Sequence, residues 1–198
     1  MAEPSERNVM PTAEGIAAAA RAANKKGPPP VHLWDPPFCG DLDMRIAADG
    51  TWFYMGTPIG RKPLVKLFSS ILKLENGAYF LVTPVEKVGI TVDDAPFVAV
   101  DFDAEGAGAG QIIRFHTHVG DSVAAGPDAP IRVERDPADA TPRPYVTVRR
   151  NLEALIDRKS FYRLVDLGTV ADVEGTPWFG VYSGGAFFPI SPEADLHR

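Results

Sequence analysis

The dipeptide Asp49-Gly50 divides the run from Met44 to Met55 into two arms in which apolar and polar residues alternate. Both residues tolerate positive φ, so a two-residue type I′ turn between antiparallel strands is expected. That turn would set a register, with Ala48 opposite Thr51, Ala47 opposite Trp52, Ile46 opposite Phe53, Arg45 opposite Tyr54 and Met44 opposite Met55. Because strand side chains alternate, Ile46, Phe53, Met44 and Met55 then face a core. Asp43, Arg45, Ala47, Trp52 and Tyr54 share the other face, where charge beside large aromatic rings suits either cover by another part of the protein or a ligand.

The chain continues through a glycine-bordered loop, Gly56 to Lys62, to Pro63, which suits a first helical position because its missing N–H costs nothing there. Leu64, Leu67, Phe68, Ile71 and Leu72 follow at helical spacing, and Glu75-Asn76-Gly77 is the expected stop. Strands are expected over Tyr79 to Val85, Val88 to Val92 and, after the turn Asp93-Asp94-Ala95-Pro96, Phe97 to Phe102. In the second half Gln111 to His118, Ile131 to Glu134, Tyr145 to Val148, Phe161 to Val173 and Pro177 to Pro189 read as strands. Asp136 to Pro144 reads as a loop and Asn151 to Arg158 as a helix. Upstream, Met1 to Pro11 reads as a tail without regular structure, and Ala13 to Lys25 as an alanine-rich helix capped by Thr12 and stopped by Gly27. Val31 to Pro37 is expected to be extended and anchored by Trp34.

Met44-Arg45-Ile46 matches Ile131-Arg132-Val133, Arg61-Leu64-Leu67 matches Arg149-Leu152-Leu155 in spacing, and Tyr79-x-Leu81-Val82 matches Tyr162-x-Leu164-Val165. These matches imply an internal duplication, and hence an α+β fold of two related modules, each a small antiparallel sheet with one helix. The boundaries expected are 1–30 for the tail and first helix, 31–95 for one module and 96–198 for the other. A pseudo-symmetric cleft between modules is a usual place for a ligand.

At 198 residues, 45% hydrophobic, the chain has the composition of an ordinary globular protein. Its net charge of -6 argues against nucleic acid and against acidic membranes as partners. No apolar run approaches the ~20 residues a bilayer requires. Acids occupy the amino end where a signal peptide needs positive charge, so a cytoplasmic location is expected. Cys39, the one cysteine, cannot form an internal disulfide and reads as a small core residue.

The run Gly40 to Phe68 with Leu81 to Thr91, LVTPVEKVGIT, resembles a bacterial family known as a domain of unknown function, and the similarity extends through Pro144-Tyr145 and Arg149 to Leu155. The resemblance implies an α+β fold of two related modules, the C-terminal one like a pleckstrin-homology roll. It also implies a role in signal transduction through a site at the module interface, with no assigned activity.

Arg61-Lys62 precedes one expected helix and Arg149-Arg150 another, where positive charge opposes the helix dipole unless an acid or a bound anion intervenes. Asp43, Arg45, Trp52, Tyr54, Arg61, Lys62, Glu86, Lys87, Tyr145, Arg149 and Arg150 are therefore the candidate binding residues for a small acidic ligand or a protein partner. A non-enzymatic binding module is the reading preferred, with no cofactor. One rival is an enzyme acting on a small acidic metabolite, using Asp43 or Glu86 as base and Arg45 as stabiliser. Another is a structural homo-oligomer, the oligomeric state being open. His116-Thr117-His118 places two imidazoles on one strand face, as a metal needs, but the glutamate of a cupin motif is missing, so a solvent-facing pair is the better reading. Ser183-Gly184-Gly185 lacks the strand-turn-helix setting of a nucleophile, and the aromatic residues around it read as core.

Overall fold

The structure, a computed structural model, describes residues 10–24 and 28–196. The tail before Met10, and the expected helix stop at Lys25 to Gly27, lie outside these residues. The contacts divide the chain into two units: the residues up to Ala47 with Thr51–Asp93, and Ala48–Gly50 with the residues from Asp94 onward. No helix among the described residues is long and apolar enough to cross a membrane.

In the first unit, α1 (Ala13–Ala23) begins where the Thr12 hydroxyl accepts from the Gly15 amide at 3.2 Å. Ile16, Ala17 and Ala20 are buried, and just past the helix end Asn24 donates to the Ser70 hydroxyl at 3.0 Å. The helix therefore packs on its own unit, on α2 (Lys62–Ser70). Val31–Leu33 is a single 3-10 turn that buries Val31 and leaves Trp34 half-exposed, correcting the extended segment anchored by Trp34. Cys39 is exposed, not a core residue.

β1 (Phe38–Ile46) and β2 (Trp52–Tyr54) form the expected hairpin, but its register differs by one residue: Ile46 pairs with Trp52, Arg45 with Phe53 and Met44 with Tyr54. The cause is the loop. The Ala47 amide donates to the Thr51 carbonyl at 2.9 Å, leaving Ala48-Asp49-Gly50 as a three-residue connection that ends on Gly50 at φ 84°. A one-residue slip exchanges the two faces of a strand. Trp52 is consequently 1% exposed and stacks on Phe68 of α2 with ring centroids 6.2 Å apart, whereas Met55 is 68% exposed. Phe53 instead joins Arg45 on the outer face, with the guanidinium 5.7 Å from its ring centre.

The helix stops early. α2 ends at Ser70, and Leu72–Glu75 is β4, paired with β5 (Ala78–Val82). Asn76 at φ 50° and Gly77 at φ 80° make the two-residue hairpin turn, so this dipeptide reverses a strand and does not cap a helix. With the short β3 (Thr57–Pro58) and β6 (Lys87–Val92), the sheet order is β3-β2-β1-β6-β5-β4, antiparallel except for the central β1–β6 pair, which is parallel. Met44, Ile46, Trp52, Phe68, Leu81 and Val88 fill the core below it.

The second unit holds β7 (Phe97–Glu105), β8 (Ile112–Thr117), β9 (Ser122–Ala124), β10 (Ile131–Arg135), β11 (Pro142–Arg149) and β12 (Leu152–Ile156). Asn151 to Arg158 is thus mostly a strand. Its Leu-x-x-Leu spacing suggested a helix, yet Leu152, Ala154 and Ile156 alternate into the core, and pairing with β11 through a turn on Arg150 (φ 53°) selects the two-residue period. The expected strand from Phe161 is instead α3 (Arg158–Val165), capped by Asp157, whose carboxylate accepts from the Ser160 amide at 2.7 Å. β13 (Thr169–Val173), β14 (Thr176–Ser183) and β15 (Ala186–Pro192) form a separate three-stranded sheet. Val181, Phe188 and Ile190 of it are buried, and Trp178, Phe179, Tyr182 and Phe187 are half-buried.

The six-stranded sheet here runs β9-β8-β7-β12-β11-β10, again with one parallel pair, β7–β12, at its centre. Strand for strand this is the order of the first unit, so the chain is two related α+β modules, the second curled as a pleckstrin-homology-like roll would be. The sequence matches were nonetheless out of phase. β1 corresponds to β7 and not to the Ile131 strand, and the Arg61 helix corresponds to the β9–β10 loop and not to Arg149.

Large-to-small changes separate the two possible registers. In urea unfolding Trp52→Ala is expected to cost about 3–5 kcal/mol, and Met55→Ala about 0.5 kcal/mol or less. The reverse ranking would restore the register with Met55 in the core.

Candidate functional site

In the first unit the outer sheet face is largely self-neutralised. Arg45 grips Asp93 with two hydrogen bonds, Nε to Oδ1 at 2.8 Å and Nη2 to Oδ2, which holds the Asp93 carboxyl below its ordinary pKa. Lys87 reaches Glu75 at 2.9 Å and lies 5.2 Å from the Phe80 ring centre, while Lys73 bridges the same carboxylate and the Trp34 carbonyl at 3.1 Å. Lys73 and then Lys87 lower the Glu75 pKa. Asp43 is exposed, and its carbonyl accepts from the Met55 amide at 2.9 Å. The Glu86 carbonyl closes a turn with the Thr83 amide at 2.9 Å. Trp52 belongs to the core and Tyr54 is half-buried beside Met44, so neither stands on the charged face expected of them.

Arg61 and Lys62 differ from these residues. Arg61 is the N-cap of α2 without a side-chain cap bond, Pro63 occupies the first turn, and no acid lies there. Arg21, from the last turn of α1, joins them around an open cavity of about 710 Å³ floored by Pro63, Leu64 and Leu67. None of the three cations has an ion pair among the described residues. Arg21 was not among the expected binding residues; its sequence signal is a lone cation interrupting an alanine run.

In the second unit Tyr145 is 3% exposed and sits in a closed network. Its hydroxyl donates to Asp94 Oδ1 at 2.8 Å and accepts from Arg143 Nε at 3.0 Å, while Arg143 Nη2 reaches Asp94 Oδ2 at 2.6 Å. Burial, countered by Arg143, raises the Tyr145 pKa. Arg132 stacks 4.3 Å from the Tyr145 ring centre and makes two bonds of 2.6 Å to Glu153. Every group of this network has its partner, so it holds structure.

Arg149 and Arg150 do not begin a helix. Arg149 ends β11, pairs with Asp121 at 3.2 Å, lies 5.0 Å from the Phe97 ring centre and has its pKa lowered by burial; Arg150 forms the following turn. The expected second anion site at a helix start is therefore absent from the described residues. His116 and His118 do not form a solvent-facing pair either. His116 Nε2 meets Asp103 at 2.7 Å, whereas His118 Nδ1 accepts from the Val98 amide at 3.1 Å, so the rings are engaged on different partners. Ser183 is fully buried, accepting from the Ile113 amide at 2.8 Å and donating to the Ala125 carbonyl at 2.7 Å, a structural stitch across β8 and its neighbour.

These two modules define a class of α+β protein with repeated six-stranded sheets, and comparison with known proteins agrees. Residues 29–95 match the profile described as "Domain of unknown function (DUF1285), N-terminal domain", and residues 96–190 match "Protein of unknown function (DUF1285), C-terminal domain". The chain belongs to the DUF1285 family. A crystal structure of a DUF1285 family protein from Silicibacter pomeroyi DSS-3 is 62% identical with a TM-score of 0.84, covering 93% of this chain and 98% of that one. Another, from Shewanella baltica OS155, is 29% identical with a TM-score of 0.50, covering 63% of this chain and 91% of that one. No curated protein matches.

Removing the Tyr145 hydroxyl strands one oxygen of Asp94. Tyr145→Phe is expected to cost about 1–2 kcal/mol in urea unfolding, and Tyr54→Phe about 0.5 kcal/mol or less. Equal small losses would show that the Asp94 network contributes nothing.

Proposed function

We propose that this chain is a non-enzymatic binding module that takes an acidic group, on a small molecule or on a partner, in the cavity of its first unit. The observation that carries this reading is the convergence of Arg21, Arg61 and Lys62 on one open cavity without an acid among the described residues that line it. On the sheet of the same unit the cations are matched, as Arg45 is by Asp93 and Lys73 and Lys87 are by Glu75. Guanidinium groups suit carboxylate or phosphate through paired hydrogen bonds, and the N-terminal end of α2 adds its own positive potential. Leu64 and Leu67 give the cavity an apolar floor for the body that carries the acid.

Binding is favoured over acid–base catalysis because the described residues lining the cavity include no acid to take or give a proton there. A role in signal transduction belongs to the same proposal, the acidic ligand being the signal read.

Calorimetric titration at low salt with inorganic phosphate, and separately with an oligoglutamate peptide, tests the proposal. Arg61→Ala and Arg21→Ala are each expected to weaken binding about tenfold, the loss of one charge-assisted contact. Lys159→Ala, an exposed cation of the second unit, should leave it unchanged. If Arg61→Ala binds both probes as tightly as the parent, the proposal fails.

A further inference from the structure

The β7–β8 ladder runs from Glu105 opposite Ile112 to Ala99 opposite Thr117, with a break in register between Ala99 and Asp101. Beyond it a side chain completes the pairing. The His118 amide donates to the Val98 carbonyl at 2.9 Å, and the Val98 amide donates back to His118 Nδ1 at 3.1 Å. That second bond exists only while Nδ1 carries a lone pair, which places the proton of the neutral ring on Nε2. Nε2 is closed off from solvent against the Gly50 backbone and makes no well-formed hydrogen bond there.

We propose that His118 is an acid-sensitive catch on the start of β7: a proton on Nδ1 removes the acceptor of the Val98 amide and frees the end of the β7–β8 pairing. The charged groups facing the ring are Asp49 from the Ala48–Gly50 loop and Asp121 from the turn after β8. Asp121 is in turn held by Arg149 from the end of β11 at 3.2 Å, so its charge is already shared. Both carboxylates favour the imidazolium, but burial outweighs them and pushes the His118 pKa below the ordinary value.

The direction of the pH effect follows. Above the ordinary histidine value neither folded nor unfolded chain holds the proton, and the contribution of the catch is complete. As pH falls below about 6.5 the unfolded or opened form takes the proton first, and stability is lost down to and through the lower folded value.

Backbone amide hydrogen exchange, corrected for intrinsic rates and followed by NMR from about pH 7.5 to about pH 5, reads the catch directly. Val98 protection in the parent is expected to fall by up to about tenfold per pH unit, the slope of one linked proton. In His118→Asn, whose amide oxygen can replace Nδ1 as acceptor without titrating, the fall should disappear. In His116→Asn it should remain. A flat Val98 profile in the parent, or an undiminished fall in His118→Asn, overturns the proposal. Should His118→Asn not fold, the His118 ring signals of the parent must titrate at lower pH than the onset of the fall in Val98 protection, and ring signals that titrate at or above that onset overturn it equally.

Discussion

Each six-stranded sheet depends on one parallel seam between its first and last strand in chain order, β1 with β6 and β7 with β12. Without the seam each sheet would be two three-stranded ribbons, which bury little and leave more unpaired edges. With it, six strands curve over a shared core, of Met44, Ile46, Leu81 and Val88 in one unit and Phe97, Ala99, Val146 and Ile156 in the other. The seam ends alike in both. The Asp93 amide donates to the Ile46 carbonyl at 3.0 Å, and the Asp157 amide to the Ala99 carbonyl at 2.9 Å. The two aspartates then diverge, since Asp93 holds Arg45 whereas Asp157 caps α3.

The same closure sorts the charges. On the outer face of the first sheet neighbouring strands bring each cation to an acid, which leaves Arg45, Lys73 and Lys87 with little to offer a ligand. Arg21, Arg61 and Lys62 lie off the sheet, on α1 and at the start of α2, where no acidic strand residue lines the cavity they share. The ion pairs of the sheet and the proposed binding cavity thus draw on different cations of one unit.

Much of this was legible in residue order. The hairpin at Asp49-Gly50, the helix from Pro63 and the alanine helix capped by Thr12 all have local or periodic signals, whereas the duplication is present but the residue matches that suggested it pair non-equivalent elements. What escaped is non-local. Whether the Asp49-Gly50 loop holds two residues or three is not written in the dipeptide, and that single residue decides whether Trp52 or Met55 is core. Asn76-Gly77 carries the same hairpin signal, but the leucine stripe before it masked the change from α2 to β4. At Leu152 to Ile156 two periods coexist, and only the partner strand β11 selects one. Because the helix expected there is a strand, Arg149-Arg150 stands at no helix start, while the packing of α1 on α2 brings Arg21 to the cavity beside Arg61 and Lys62.

The most direct test of the central claim, that the first unit takes an anion among Arg21, Arg61 and Lys62, is a residue-by-residue NMR titration of the parent chain with inorganic phosphate. The account predicts saturable amide shifts concentrated at Arg21 and across Gly60 to Leu64. Shifts concentrated in the second unit, or none that saturate, would contradict it.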